Sequence, residues 1–364
     1  MRVLVSHPFF WPHVARGAER EVHDVGTGLV RRGHDVRLVT GQPTGVTSLT
    51  TYGGMRVRYV RTPLPGPLAR RGLQPEGAFG AVVAGASLVS RADVMLAFHY
   101  ADAVGAKALR PRRPLVLKLT GAVPRDRVQN VPVERRLLTR ALAVADEVWI
   151  NSVYARDVMA DWGIPMTVLP AGLDDSVFLP CAPRAKRPTV LCASTPDEPR
   201  KRVVDLVDAW PAVLDLVPDA VLVLAGAAAS GPALLERLPT PARASVSFVG
   251  VLRGPELAAA YSSAHVVVTP SVHEALGLVT LEALACGTPV AGADSGATPE
   301  LLDQPGTGVL FTPLDPASCA QAVLAALELA QDPLTAQRCR TSAQRYALDG
   351  VVDRVEQGLL SLLR

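Results

Sequence analysis

Asparagine and isoleucine occur only twice each in this chain, and lysine four times against 33 arginines. Coding rich in G and C produces that imbalance by itself, so no function is drawn from it. Cysteine is sparse and unpatterned. The five residues, at 181, 192, 286, 319 and 339, form no Cys-x-x-Cys pair and are odd in number, which excludes a disulfide framework and fits reduced thiols in a cytosol. Long apolar runs are missing as well. The best, residues 220–235, is broken by Gly226, Gly231 and Pro232 and falls short of the ~20 residues that span a bilayer. The start, Met1-Arg-Val-Leu-Val-Ser6, leads straight into a strand pattern without the apolar core and small-residue cleavage site of an export signal, so a cytoplasmic protein is expected. Nor is there an excess of one charge: 37 basic against 34 acidic residues give +3, too balanced to imply nucleic acid. No His, Asp and Glu cluster has metal spacing, and Asp174-Asp175 reads as hinge structure, so neither metal nor cofactor is expected. Internal repeats are absent.

What is present is a globular composition, 49% apolar and 20% charged over 364 residues, long enough for two domains. The most informative stretch is Ser271-Val-His-Glu274-Ala-Leu-Gly277-Leu-Val-Thr280-Leu-Glu282-Ala-Leu-Ala-Cys286-Gly287-Thr-Pro289-Val290. A β-branched run at 264–269 predicts a buried strand before it, Pro270 and Ser271 end that strand, and apolar spacing predicts a helix from about Gly277 to Gly287. A strand, loop and helix in that order leave the first helical amides unpaired at the carboxyl end of a parallel sheet, where open α/β sheets bind ligands and anions are favoured. Gly277 lets backbone come close to a phosphate, and Leu278 and Val279 continue the free amides. Glu274 lies before the helix and Glu282 eight residues later, so the two carboxylates suit different ends of one ligand.

A second basic loop follows the strand pattern at 189–193. Arg200, Lys201 and Arg202 stand where a helix should begin, the pole that repels cations. A bound anion resolves that conflict, since Arg and Lys clamp a diphosphate. The first βαβ unit places Arg16, Gly17 and Glu19 at a strand's carboxyl end, and His99 and Thr120 end later strands on the same edge. Residues 170–188 are turn-rich and aperiodic, a domain boundary. Residues 52–61 read as one strand, and Arg56, Arg58, Arg61, Arg70 and Arg71 make this stretch and the following 63–75 connection the most basic part of the chain. They suit a phosphorylated acceptor or an anionic membrane, although an ordinary solvated loop also accounts for them.

The 271–290 stretch resembles the donor-binding signature of retaining glycosyltransferases of the GT-B fold, family 4, with its two Glu separated by seven residues. Gly17-Ala18-Glu19-Arg20 with Gly33-His34-Asp35-Val36, the Arg200-Lys201 loop and the 170–174 hinge resemble further family segments, so the likeness runs along nearly the whole chain. It departs at Ala18 (Gly in the family), Thr120 (His), Arg202 (Gly), Ala171 (Asn) and Leu276 (Phe). The resemblance implies two Rossmann-like doubly wound parallel-sheet domains facing a cleft: residues 1–175 on the acceptor side, with a last helix at 350–364 packing back on it, and 176–349 binding the donor. It implies Glu274 near the transferred sugar, Glu282 on the ribose hydroxyls, Lys201 with Arg200 and Arg202 on the diphosphate, amides near Gly277, Leu278 and Val279 on phosphate, and Val251 at the nucleobase. Gly17 and Thr120 are expected among the donor-binding residues, and His99, from its place on the carboxyl edge, is expected to be catalytic together with Glu274 and Lys201.

The expected activity is transfer of a sugar from a UDP- or GDP-sugar to an acceptor hydroxyl of a polysaccharide, lipid or small natural product, with retention and without a metal. A phosphorylase- or epimerase-like enzyme on the same fold, or a non-catalytic nucleotide-sugar binding module, stays open at this point, as does peripheral contact of the basic N-terminal domain with the inner membrane face. The sequence leaves the oligomeric state unread.

Overall fold

The structure, a computed structural model, describes residues 1–10, 16–42, 47–61, 74–227, 229 and 231–364. Most of the basic 63–75 connection, with Arg70 and Arg71, falls outside them. The chain divides into two compact units, Met1–Gly172 joined by Leu348–Arg364, and Leu173–Ala347.

The first unit is built on β1 (Arg2–His7), β2 (Asp35–Gln42), β3 (Ser48–Tyr52), β4 (Met55–Arg61), β5 (Val94–Ala97), β6 (Leu115–Leu119), β7 (Glu147–Ile150) and β8 (Thr167–Val168). Their order is β3-β4-β2-β1-β5-β6-β7-β8, parallel except for the antiparallel β3–β4 pair. Strand order reverses between β1 and β5, so the ends of those strands form the unit's ligand edge. Residues 52–61 do not form one strand. Gly53 and Gly54 take φ of 54° and 80°, the left-handed pair that closes a two-residue hairpin, and β4 starts only at Met55. A core of Val3, Val22, Leu29, Leu38, Val57 and Trp149 lies between sheet and helices.

The last helix, Leu348–Ser361, belongs to this unit. Its Asp349 carboxylate accepts from Arg32 Nη2 at 2.8 Å, and its Glu356 lies 2.6 Å from His34 Nε2. Val352 packs on Gly28, where a Cβ would come within 2.5 Å of it.

The second unit contains β9 (Thr189–Ala193), β10 (Val221–Ala225), β11 (Val246–Gly250), β12 (Val266–Thr269), β13 (Val290–Ala293) and β14 (Gly308–Phe311). They pair in parallel in the order β11-β10-β9-β12-β13-β14. Order reverses between β9 and β12, whose ends carry the basic loop and the Glu274 loop. Trp210, Leu206, Val190, Val268 and Val323 lead its core. All five cysteines are free, four of them buried and Cys181 exposed.

Candidate functional site

In the second unit the sequence motifs meet. β9 and β12 are neighbours, with Val190 opposite Val266, so the loops that leave their carboxyl ends lie side by side. They are joined through backbone: Val272 N–H donates to the Arg200 carbonyl at 3.0 Å. On that frame Arg200 and Lys201 grip one carboxylate. Lys201 Nζ lies 2.5 Å from Glu274 Oε1, and Arg200 Nη1 lies 3.0 Å from Glu274 Oε2. Arg200 also donates to Glu198 Oε1, through Nη2 at 2.9 Å and Nε at 3.1 Å.

Burial pushes the Glu274 carboxyl up, but the Lys201 and Arg200 charges outweigh it and hold the group below the usual carboxylate range. Glu274 is therefore ionised at neutral pH and, with its side chain only 19% exposed, partly shielded from water.

A third strand end fixes this carboxylate. Ser295 and Gly296 follow β13, and Ser295 Oγ accepts from His273 N–H at 3.1 Å. Glu274's own carbonyl accepts from Ala297 N–H at 2.9 Å. Gly296 sits at φ 65°, and a Cβ there would fall 2.5 Å from both the amide nitrogen and the carbonyl oxygen of Glu274. Only glycine permits that approach. His273, at φ 58°, bends the loop before Glu274.

The helix after the loop is Leu278–Ala285, with Gly277 preceding it at φ 93°. Thr280 and Leu281 are the first residues to donate to the Gly277 carbonyl, so the amides of Leu278 and Val279 have no intrahelical acceptor. Glu282 lies within this helix and is buried. Tyr261 Oη donates to its Oε2 at 3.0 Å, and Thr288 Oγ1 holds the Tyr261 carbonyl at 2.7 Å.

The cation conflict expected at residues 200–202 is met by carboxylates of the chain itself. The α-helix begins at Val203, after a short 3-10 turn over Pro199–Lys201. Arg202 takes φ 51° and turns back onto the helix, its Nε and Nη2 donating to Asp205 at 2.9 and 2.6 Å. Arg202 thus leaves the Glu274 cluster, and the three-cation clamp reduces to Arg200 and Lys201. Val251 follows the edge strand β11, beyond β10 and β9, and its side chain is exposed.

Gly17, His99 and Thr120 all belong to the first unit. Gly17 opens the helix Gly17–Arg31, and buried Glu19 pairs with Arg16 at 2.9 Å. His99 caps the helix Tyr100–Leu109, its Nδ1 accepting from Ala101 N–H at 3.3 Å. Burial, aided by nearby His7, pushes its pKa down to about 3, so it is neutral. The Thr120 carbonyl accepts from Asn151 Nδ2 at 3.2 Å. Asn151 also donates to Glu21 Oε2 at 3.2 Å, and buried Lys118 lies 3.1 Å from Glu21 Oε1.

Sequence reasoning gave no role to Glu198, Asp205, Tyr261 or Gly296. Only Gly296 carried a signal, a Ser-Gly turn at a strand's carboxyl end. Among the described residues no group of three or more His, Cys, Asp or Glu is placed to hold a metal.

Two family models match the chain in succession. "Glycosyltransferase Family 4" covers residues 15–177, and "Glycosyl transferases group 1" covers residues 187–329. A sulfoquinovosyl transferase of Arabidopsis thaliana is 44% identical over 29% of this chain, a match that spans only 21% of that relative's length. A glycogen synthase of Mycobacterium tuberculosis is 29% identical over 96% of this chain and 91% of its own. Among solved structures, Anabaena HepE in complex with UDP-glucose is similar with a TM-score of 0.77 at 21% identity, covering 99% of this chain and all of that one.

Proposed function

The chain belongs to the family 4 glycosyltransferases and has their two parallel-sheet α/β domains, and from that premise we propose that it transfers a sugar from a UDP- or GDP-sugar to an acceptor hydroxyl with retention at the anomeric carbon. The observation that carries the proposal is the Glu274 carboxylate held between Lys201 and Arg200, beside the helix that opens with Leu278 and Val279.

In the free protein the carboxylate neutralises two cations that would otherwise be repelled by each other. A donor diphosphate brings charge that competes for the same ammonium and guanidinium. Donor binding draws Lys201 and Arg200 from Glu274 before the sugar–phosphate bond breaks, so that the two cations and the helix amides are already in place for the negative charge that then grows on the diphosphate. Glu274, released from one or both cations, then accepts hydrogen bonds from sugar hydroxyls. These two cations do the charge work elsewhere given to a divalent ion. The departing phosphate takes the acceptor's proton on the face it leaves, which gives retention. Glu282 accepts from the ribose, and Val251 lies near the base.

For the first unit the proposal is narrower. Gly17, His99 and Thr120 line the carboxyl edge of its own sheet, and neutral His99 is suited to exchange a hydrogen bond with a sugar hydroxyl rather than to carry charge. A UDP donor draws support from the likeness to HepE, and a cytoplasmic location from the five free thiols. The acceptor is a hydroxyl of a polysaccharide, lipid or small natural product.

A panel of UDP- and GDP-sugars, read by nucleotide release with and without candidate acceptors and with and without chelator, tests the reading. Acceptor-dependent release that survives chelator, with an α-linked product from an α-linked donor by NMR, is expected. Acceptor-independent conversion would favour an epimerase- or phosphorylase-like enzyme, and binding without turnover a non-catalytic module.

A further inference from the structure

Outside the donor site, the first unit carries a sheet face with the chemistry of a membrane surface. On β4 the alternation is strict: Met55, Val57 and Tyr59 are buried toward the core, while Arg56 and Arg58 stand exposed on the opposite face. Register brings their neighbours onto that face. Arg37 of β2 lies opposite Arg56, and Val39 opposite Arg58. On the other side β3 sets Thr51 against Arg56 and Leu49 against Arg58. Adjacent strands are about 4.8 Å apart, so three guanidinium groups and an apolar side chain share one small patch.

Beside it runs a groove of about 210 Å³ with Leu4, Val39 and Ala86 among its lining residues and the three arginines at its margin. Leu49 and Val89, 73% and 71% exposed, flank it. Leu49 and Val89 carry the apolar lining of the groove out to the surface beside the arginines.

The charges on this face are under-compensated. Asp35 is the carboxylate it offers, 3.3 Å from Arg37 and 2.5 Å from Arg56. Arg58 has no hydrogen-bond or ion-pair partner among the described residues. The buried Nε of Arg37 likewise finds no acceptor among them. A second copy of the chain is disfavoured as the occupant, because two such faces would bring arginines together.

We propose that this face, Leu49 and Val89 with Arg37, Arg56 and Arg58, seats the protein on an anionic lipid bilayer. The apolar side chains enter the boundary between headgroups and acyl chains. The guanidinium groups reach lipid phosphates bidentately from alongside, as long cationic side chains do at interfaces. This inference does not depend on the donor chemistry, since none of these residues belongs to the Glu274 cluster.

Co-sedimentation of the full chain with vesicles of phosphatidylcholine, with and without phosphatidylglycerol, tests it. Binding is expected only with phosphatidylglycerol and should weaken as salt rises. The variant Arg56→Gln/Arg58→Gln should bind roughly 30-fold more weakly, each arginine near an anionic surface contributing about fivefold. Leu49→Ser should weaken binding at high salt, where the apolar part dominates. Melting temperature and nucleotide binding of both variants should match the parent, which separates a lost surface from a lost fold. Failure to sediment with either vesicle at low salt overturns the proposal. So does anionic binding that both variants retain in full, or retention on a heparin column, lost in the double variant, without vesicle binding.

Discussion

Tyr261 Oη donates a hydrogen bond of 3.0 Å to Glu282 Oε2, and both side chains are buried within the second unit. A carboxylate placed in a helix and out of water keeps its orientation only if its oxygens are held, and Tyr261 holds one. Tyr261→Phe removes that donor without changing volume. Leaving a buried acceptor short of a partner costs about 1–3 kcal/mol, so the melting temperature should fall by several degrees. If Glu282 receives the ribose hydroxyls, its loosened geometry should also raise the Kd for a nucleoside diphosphate roughly fivefold, about 1 kcal/mol. Titration calorimetry of wild type, Tyr261→Phe and Glu282→Ala checks this. A Glu282→Ala variant that binds nucleotide unchanged removes the ribose assignment, whereas an effect of Glu282→Ala alone removes only the role of Tyr261.

For Lys201 the structure reverses an expectation about stability. A cation at a helix start should cost nothing to remove, but Lys201 lies in the 3-10 turn before the helix and its ammonium is 2.5 Å from Glu274. With side chains 20% and 19% exposed, the pair is shielded more than a surface bridge. Lys201→Ala should therefore lower the ligand-free melting temperature by a few degrees, on the order of 1 kcal/mol. It should also reduce kcat by about 10²–10³, the loss when one preorganised donor of charge stabilisation is removed. Differential scanning fluorimetry beside initial rates tests both. Intact turnover in a destabilised variant would confine Lys201 to a structural role.

The contrast shows where sequence stops being legible. Strand-loop-helix order, the glycine before Leu278 and the basic loop after β9 follow from local periodicity and turn chemistry, and the sheet order sets their loops side by side. The partners of the charges do not follow. Glu198, Glu274 and Asp205 each claim a cation from residues 200–202, and nothing in the spacing of the chain distinguishes a clamp waiting for phosphate from one closed on a carboxylate. The hairpin at Gly53-Gly54 was legible in principle, since a glycine pair between two β-branched runs is a turn signal. Reading 52–61 as one strand let hydrophobic alternation outweigh it.

Gly296 offers a test of geometry independent of charge. Its φ of 65° and the 2.5 Å approach of a virtual Cβ to the Glu274 backbone mean that Gly296→Ala must displace either loop. Strain at a positive φ costs on the order of 1–3 kcal/mol, and the contact with rigid backbone adds to it. Glu274 would move relative to Lys201, and a small misplacement at a reacting centre costs up to about 10²-fold in rate. Turnover should thus fall more than nucleotide affinity. Equal turnover in wild type and Gly296→Ala would show that the placement of Glu274 is not critical.

The last prediction concerns a buried acid in the first unit. Asp102 lies in the first turn of the helix Tyr100–Leu109 and is fully buried. Neither of its carboxyl oxygens, nor the nearby Ser6 Oγ, has a well-formed hydrogen bond among the described residues. Burial raises its pKa well above the usual 3.8, with the Ser6 hydroxyl opposing only in part. The folded chain therefore binds this proton more tightly than the unfolded chain does. The linkage has a definite sign: stability from this group is greatest below the unfolded value and is lost as pH rises toward the folded one. Asp102→Asn, with a near-isosteric amide that cannot ionise, should escape that loss. At pH 7 the variant should melt above wild type, and the gap should close as pH falls below about 4. Melting curves of both proteins across that range decide it, because a difference that does not vary with pH would show that Asp102 gains no proton on folding.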